Sequence, residues 1–159
     1  MKANTKKTDG IIDLDFSAIQ KKKFRINGDD SKILELNTSD TSILTRLPEA
    51  MPKLEQKQAE IQEDMPESIS RDSMEYTLEM SKKFNKVDIE MKELVDYIFD
   101  APVSSVLAND GSMFDIFNGV TRFEYIINIL LAQYEDNLSK EFDGMDKKMK
   151  AHLTAYNKG

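Results

Sequence analysis

Two predicted amphipathic helices, joined by a short turn-rich connector, constrain the fold of this 159-residue chain more than any other feature. The first helix is predicted to begin near Ser68 or Ser70 and to end at about Phe99, because Pro102 disfavours helical geometry in the residue before it. Its apolar residues recur at intervals of three and four, and they are Met80, Phe84, Val87, Met91, Leu94 and Ile98. This spacing places them on one helix face, which must be buried against another element.

The second helix is predicted to begin at Thr121, which forms a capping-box pattern with Glu124, and to continue to about residue 156. Its first half is apolar on almost every side, so we expect that half to be buried on several sides. Its second half, from Leu138 to Tyr156, carries only an apolar stripe. That stripe can pair within the chain or between chains, and the sequence leaves both alternatives open.

The N-terminal third contains the strongest β signal. Two alternating runs, 23–26 and 32–36, flank Asn27-Gly28, and an Asn-Gly pair favours a hairpin because both central turn positions need positive φ. We therefore predict a hairpin over about 21–36. A flexible tail over 1–15 precedes it, in which 11–16 forms a short strand or an anchoring segment.

A further helical pattern follows the hairpin, but it contains Pro48 and Pro52. Each proline removes a backbone donor, so we expect either a kink or a fresh helix start near Pro48. Together these patterns predict a mainly α protein: a helical bundle of about four helices with a small N-terminal β-hairpin. Residues 16–159 are expected to form a single domain.

Composition argues against several classes of function. The net charge of −7 argues against binding to nucleic acid, which requires a basic surface. The longest apolar run, 125–134, is far below the roughly 20 residues needed to cross a bilayer, and we expect no membrane association. The N-terminal residues do not resemble a signal peptide and there is no cysteine, so we expect a protein that is made and kept inside a cell, in the cytoplasm.

The sequence offers no catalytic constellation. Its one histidine, His152, has no predictable nucleophile or orienting acid beside it. The acidic pairs lack the spacing of a calcium loop, a zinc site would need Cys or several His, and the six glycines are scattered. We therefore predict no catalytic, cofactor-binding or metal-binding residues, and a protein that acts without enzymatic activity.

The connector, residues 109–119, is predicted to pack or bind through its apolar side chains. We expect Phe114, Ile116 and Phe117 to anchor it against the apolar start of the last helix. The stripe of that helix is expected to contact a partner or a second copy, and the predicted protein-interaction residues are Phe114, Ile116, Phe117, Met145, Met149, Leu153 and Tyr156.

The order of these elements resembles that of tail assembly chaperones of long-tailed phages and prophages of Gram-positive bacteria. The resemblance covers roughly residues 20 to 140. It includes the basic-flanked hairpin, a helix opened by Asn37-Thr38-Ser39-Asp40, a polar middle helix, and the connector with Ile116-Phe117-Asn118-Gly119 before an apolar helix. It implies a non-enzymatic, self-associating protein that keeps the tape-measure protein soluble and recruits tail-tube subunits.

Two other functions remain open at this point. The chain could be a phage-encoded inhibitor that binds one protein of a host defence system. It could also be a virion part, such as a connector or tail-completion subunit, which would remain in the particle. A chaperone, in contrast, would leave before the virion is complete.

Overall fold

A computed structural model describes residues 7–8, 10–16, 21–62, 68–136, 138 and 140. In these residues the helices are α1 (Ile43–Gln62), α2 (Met74–Phe99), α3 (Val103–Leu107) and α4 (Arg122–Leu131). The strands form three antiparallel pairs: β1 (Lys7–Thr8) with β2 (Ile11–Ile12), β3 (Lys22–Ile26) with β4 (Asp29–Leu36), and β5 (Ile116–Phe117) with β6 (Val120–Thr121). The predicted fold class, a helical bundle with a small N-terminal β-hairpin, is confirmed.

The β3–β4 hairpin forms at the predicted position. Asn27 and Gly28 adopt φ values of 52° and 73°, the left-handed geometry that a two-residue hairpin turn requires. Leu34 and Leu36 alternate with exposed residues on β4 and are fully buried, so one face of the hairpin covers the helices. Within the predicted tail, Ile11–Ile12 forms the short strand that was one of the two expectations for that segment.

The core lies between the hairpin, α1, the second half of α2, and α4. Residues Leu34, Leu36, Ile43, Leu47, Val87, Met91, Val95, Ile98, Phe99, Val103, Met113, Phe123 and Ile127 are all at most 2% exposed. Of the stripe predicted on α2, Val87 and the residues after it are buried, whereas Phe84 is exposed and Met80 half-buried. The predicted stripe is therefore a core face only in its second half.

Helices α1 and α2 run antiparallel and are joined by polar contacts along their length. Arg46 Nε donates to the Ile98 carbonyl at 2.9 Å, and the Tyr97 hydroxyl donates to Glu49 at 2.6 Å. Farther along, Lys57 pairs with Glu90. The start of α2 is set by Ser73, whose Oγ accepts a hydrogen bond from the Tyr76 N–H at 3.1 Å, a few residues later than predicted.

The prolines do not divide α1. The helix is continuous from Ile43 to Gln62 with Pro48 and Pro52 inside it, so the expected fresh start near Pro48 does not occur. Both prolines are exposed. On the exposed side of the helix, water can hydrate a carbonyl that has lost its helical N–H donor. This hydration lowers the free-energy cost of placing each proline inside the helix.

The predicted last helix is interrupted within its span. Helix α4 ends at Leu131, and a turn follows in which the Tyr134 N–H donates to the Leu131 carbonyl at 3.2 Å. Tyr134 packs against Phe99, and the Glu135 N–H donates to the Thr38 carbonyl at 3.2 Å, which stabilises this turn. Residues 136, 138 and 140 are helical again, so the prediction of one uninterrupted helix from residue 121 is wrong at 132–135, and residues 141–156 lie outside the described part of the chain.

Candidate protein-binding groove

Asp88 on α2 fixes one end of the connector. Its Oδ1 accepts hydrogen bonds from the Met113 N–H at 2.7 Å and from the Ser112 hydroxyl at 3.1 Å. The other oxygen pairs with Lys92 one turn later on the same helix. Asp88 thereby holds Met113 against the core, where the Met113 side chain is fully buried.

Arg122, the first residue of α4, fixes the other end. Its guanidinium donates to the Leu107 carbonyl at 2.9 Å, to Asp110 at 2.8 Å and to Asp115 at 3.2 Å. The hydrogen bond from Arg122 lowers the pKa of Asp110, so this carboxylate remains charged at neutral pH. The start of α4 has the predicted cap, since Thr121 Oγ1 accepts from the Glu124 N–H at 3.2 Å.

The three predicted anchor residues of the connector have different surroundings. Phe114 packs edge-to-face on Phe84 of α2, with ring centroids 6.2 Å apart. Ile116 is 72% exposed and so anchors nothing. Phe117 is 42% exposed and contacts the Arg122 guanidinium, which lies 5.1 Å above its ring. The side chain that fixes the connector to the core is that of Met113. The sequence analysis missed this residue because its position depends on the hydrogen bonds of Asp88.

The remaining predicted site residues lie outside the described part of the chain. They are Met145, Met149, Leu153 and Tyr156, and the single histidine, His152, lies there too. Their predicted role in interaction stays a prediction.

A groove of about 650 Å³ lies between the turn of the β3–β4 hairpin, α3, and one face of α4. The apolar and aromatic residues of its lining are Ile26, Val106, Leu107, Phe117, Tyr125, Ile126 and Ile129. Tyr125 and Ile129 are 45% and 44% exposed, although the sequence predicted this half of the helix to be buried on several sides. One face of α4 thus remains uncovered within the described residues, because its neighbours cover only the opposite faces.

Charged side chains also line the groove, and most of them are paired. The lining contains the cations Arg25, Lys32 and Arg122 and one carboxylate, Asp110. Arg122 pairs with Asp110 and Asp115, and Arg25 pairs with Asp30 at 2.7 Å, so neighbouring carboxylates balance these two cations. The groove therefore offers a ligand mainly apolar area.

A second exposed apolar surface lies on the first half of α2. No side chain between Met74 and Lys86 is buried, and Met74, Leu78 and Phe84 are all exposed. This half of the helix therefore extends past the core. A concavity of about 560 Å³ lies on it, lined by Arg71, Tyr76, Met80 and Phe84 among others. The groove at α4 is somewhat larger and is lined by more apolar side chains, so we take it as the candidate site.

The described residues contain neither a group of acidic, His and Cys side chains that could hold a metal ion nor a helix able to span a membrane. The hydrogen bonds of Asp88 and Arg122 hold the connector in place. What the groove offers a ligand is apolar area.

Comparisons with known proteins assign no family to the chain. No protein-family model matches it, and neither a curated protein nor a solved structure shows significant similarity to it.

Proposed function

We propose that the protein functions without enzymatic activity, by binding a segment of another protein in the groove between the β3–β4 hairpin and α4. The observation that carries this proposal is the uncovered face of α4, where Tyr125 and Ile129 are nearly half exposed beside Phe117. Apolar area of this kind on a concave surface is typical of protein-binding sites.

We further propose that the partner is the tape-measure protein of a phage or prophage, and that this protein is a tail assembly chaperone that also recruits tail-tube subunits. The support is the resemblance in the order of elements over residues 20–140. A tape-measure protein is long and helical with apolar faces, so it needs a partner that covers those faces before assembly. An acidic protein with an apolar groove is suited to that task, since its remaining surface keeps the complex soluble.

Co-expression with the tape-measure protein of the same phage or prophage tests this function. Wild-type protein is expected to raise the soluble fraction of the tape-measure protein and to co-purify with it. Ile129→Asp places a charge in the groove and is expected to abolish both effects. Ile89→Asp is the matched control, because Ile89 is an exposed α2 residue outside the groove lining and its substitution should change neither effect.

Other outcomes would replace the proposal. A tape-measure protein that stays insoluble beside the wild-type chain would contradict the chaperone function. Co-purification with complete virions at fixed stoichiometry would indicate a connector or tail-completion subunit. A stable one-to-one complex with a host defence protein would indicate an inhibitor.

A further inference from the structure

Two exposed Asn-Gly turns line the groove. Asn27-Gly28 joins β3 to β4 and Asn118-Gly119 joins β5 to β6, and both asparagines belong to the groove lining. All four residues have positive φ, between 52° and 83°, as a two-residue hairpin turn requires. The fold thus brings two copies of one reactive dipeptide, which are far apart in the sequence, to a single surface.

Asparagine followed by glycine reacts slowly with its own backbone. The glycine nitrogen attacks the side-chain carbonyl carbon and gives up its proton to solvent; a C–N bond forms, the bond to the side-chain nitrogen breaks, and ammonia leaves. Water then opens the five-membered ring at either carbonyl, which yields aspartate or isoaspartate. Because glycine has no Cβ, the approach is unhindered, and no described atom beyond the adjoining residues lies within 4 Å of a Cβ built on Gly28 or Gly119. The only co-reactant is water.

The two turns differ in how firmly the fold holds them. Ring closure rotates the asparagine backbone out of the turn geometry, so the turn must open before the reaction can occur. The β3–β4 hairpin has five residue pairs and is fixed to the core by Leu34 and Leu36, which are fully buried. The β5–β6 hairpin has two residue pairs, and its Ile116 and Phe117 are 72% and 42% exposed. The second turn therefore opens more readily than the first.

Reaction at Asn118 changes the groove itself. Phe117 pairs with Val120 across this turn, lines the groove and contacts the Arg122 guanidinium. Isoaspartate adds one methylene group to the backbone of the turn, and two residue pairs cannot hold their register around the longer connection. The Phe117 ring is then displaced from the apolar wall. Aspartate, in contrast, tolerates the positive φ of the turn and adds only a charge.

We infer that Asn118 is a site of spontaneous deamidation, that it reacts faster than Asn27, and that its isoaspartate form loses the β5–β6 turn and the position of Phe117. The groove thus carries a slow covalent change that alters its apolar wall as the protein ages. The reaction and its structural effect depend on the turns alone. The expected loss of partner binding rests on the proposed function.

Peptide mass spectrometry after incubation of the full-length protein at mildly alkaline pH tests the site. Deamidation should be at least about fivefold faster at Asn118 than at Asn27, a ratio equivalent to about one net hydrogen bond in the cost of opening the turn. Asn85, exposed in the middle of α2 and followed by lysine, is the control and should react more slowly than Asn118. In concentrated urea Asn27 and Asn118 should react at equal rates, because glycine follows both. Equal or reversed native rates, a ratio that persists in urea, or an Asn118 no faster than Asn85 overturns the inference.

Amide hydrogen exchange tests the structural effect. The deamidated protein separates on an anion exchanger, since it carries one more negative charge, and its isoaspartate content is read from the same peptides. The isoaspartate fraction should exchange faster than the wild type over residues 116–121 and equally over residues 22–36. Asn118→Asp, which adds the charge without the methylene group, should exchange like the wild type in both ranges. Isoaspartate that leaves exchange over 116–121 unchanged, or Asn118→Asp that accelerates it equally, overturns the inferred loss of the turn.

Refolding the tape-measure protein beside the aged chain separates the two proposals. If fresh wild-type protein fails to keep it soluble, the proposed function is wrong, while the mass and exchange measurements still decide the inference. If fresh protein succeeds, the isoaspartate fraction should keep less than about half as much of it soluble, because an apolar part of the wall is lost. Asn118→Gln, whose longer side chain closes its ring far more slowly, should keep its activity through the same incubation. An isoaspartate fraction as active as fresh protein overturns the expected loss of binding.

Discussion

Asp88 offers the sharpest test of how the groove is built. Its carboxylate is 15% exposed and accepts two hydrogen bonds from the connector, at 2.7 Å from the Met113 N–H and at 3.1 Å from the Ser112 hydroxyl. Hydrogen bonds to a charged group contribute about 1.5 to 3 kcal/mol each, and partial exposure lets water replace part of that. The added ion pair with Lys92 contributes about 0.3 to 0.5 kcal/mol.

We therefore expect Asp88→Ala to lower the free energy of unfolding by about 2 to 4 kcal/mol, because it leaves the Met113 N–H without its acceptor. Asp88→Asn keeps an oxygen acceptor and should cost about 1 kcal/mol. Urea unfolding followed by circular dichroism measures both, with Glu93→Ala, an exposed acidic residue of the same helix, as the control. If Asp88→Ala costs no more than Glu93→Ala, the connector is not held by this carboxylate and the reasoning is refuted.

Three further predictions concern the same region and its surroundings. Met113→Ala should cost about 2 to 5 kcal/mol in urea unfolding, because a fully buried side chain leaves a cavity, and a cost below 1 kcal/mol would show that the connector does not reach the core. Gly111→Ala should cost about 1 kcal/mol by separating Asp115 from Arg122, since the added Cβ would lie 2.4 Å from the Asp115 carboxylate, and unchanged stability would contradict the Arg122 network. Burial raises the pKa of Tyr134 to about 12 from its usual 10, so the fold favours the neutral phenol. The free energy of unfolding that the buried neutral phenol contributes is fully present below pH 10 and is lost as the pH rises towards 12. Thermal melts over that pH range should therefore show a smaller loss of stability in Tyr134→Phe than in the wild type. Equal losses in the two proteins would contradict the burial of this side chain.

Local signals explain which elements the sequence predicts correctly. The Asn27-Gly28 pair sets the hairpin turn by its own φ preferences, and Thr121 caps α4 through a residue three positions away. The spacing of apolar residues on α2 likewise depends only on helix geometry. Each of these predictions needs information from a few neighbouring residues. The turn and the cap are confirmed, and the α2 stripe is confirmed from Val87 onward.

The candidate groove could not be predicted in the same way. The exposure of Tyr125 and Ile129 depends on which faces of α4 the hairpin and α3 cover, and an apolar helix gives no signal for that. The end of α4 at Leu131 depends on a hydrogen bond from Glu135 to Thr38, which is distant in sequence. One signal was available in hindsight: Arg122, Tyr125 and Ile129 recur at intervals of three and four and so share one face.

The central claim is that the hairpin–α4 groove is the surface through which this protein binds other proteins. Site-specific photo-crosslinking tests it most directly, with a photoreactive amino acid at position 129 and, as the control, at position 89, in cells that also make the tape-measure protein. The account predicts adducts from position 129 to the tape-measure protein. Adducts that form equally from both positions, or none from position 129, would contradict it.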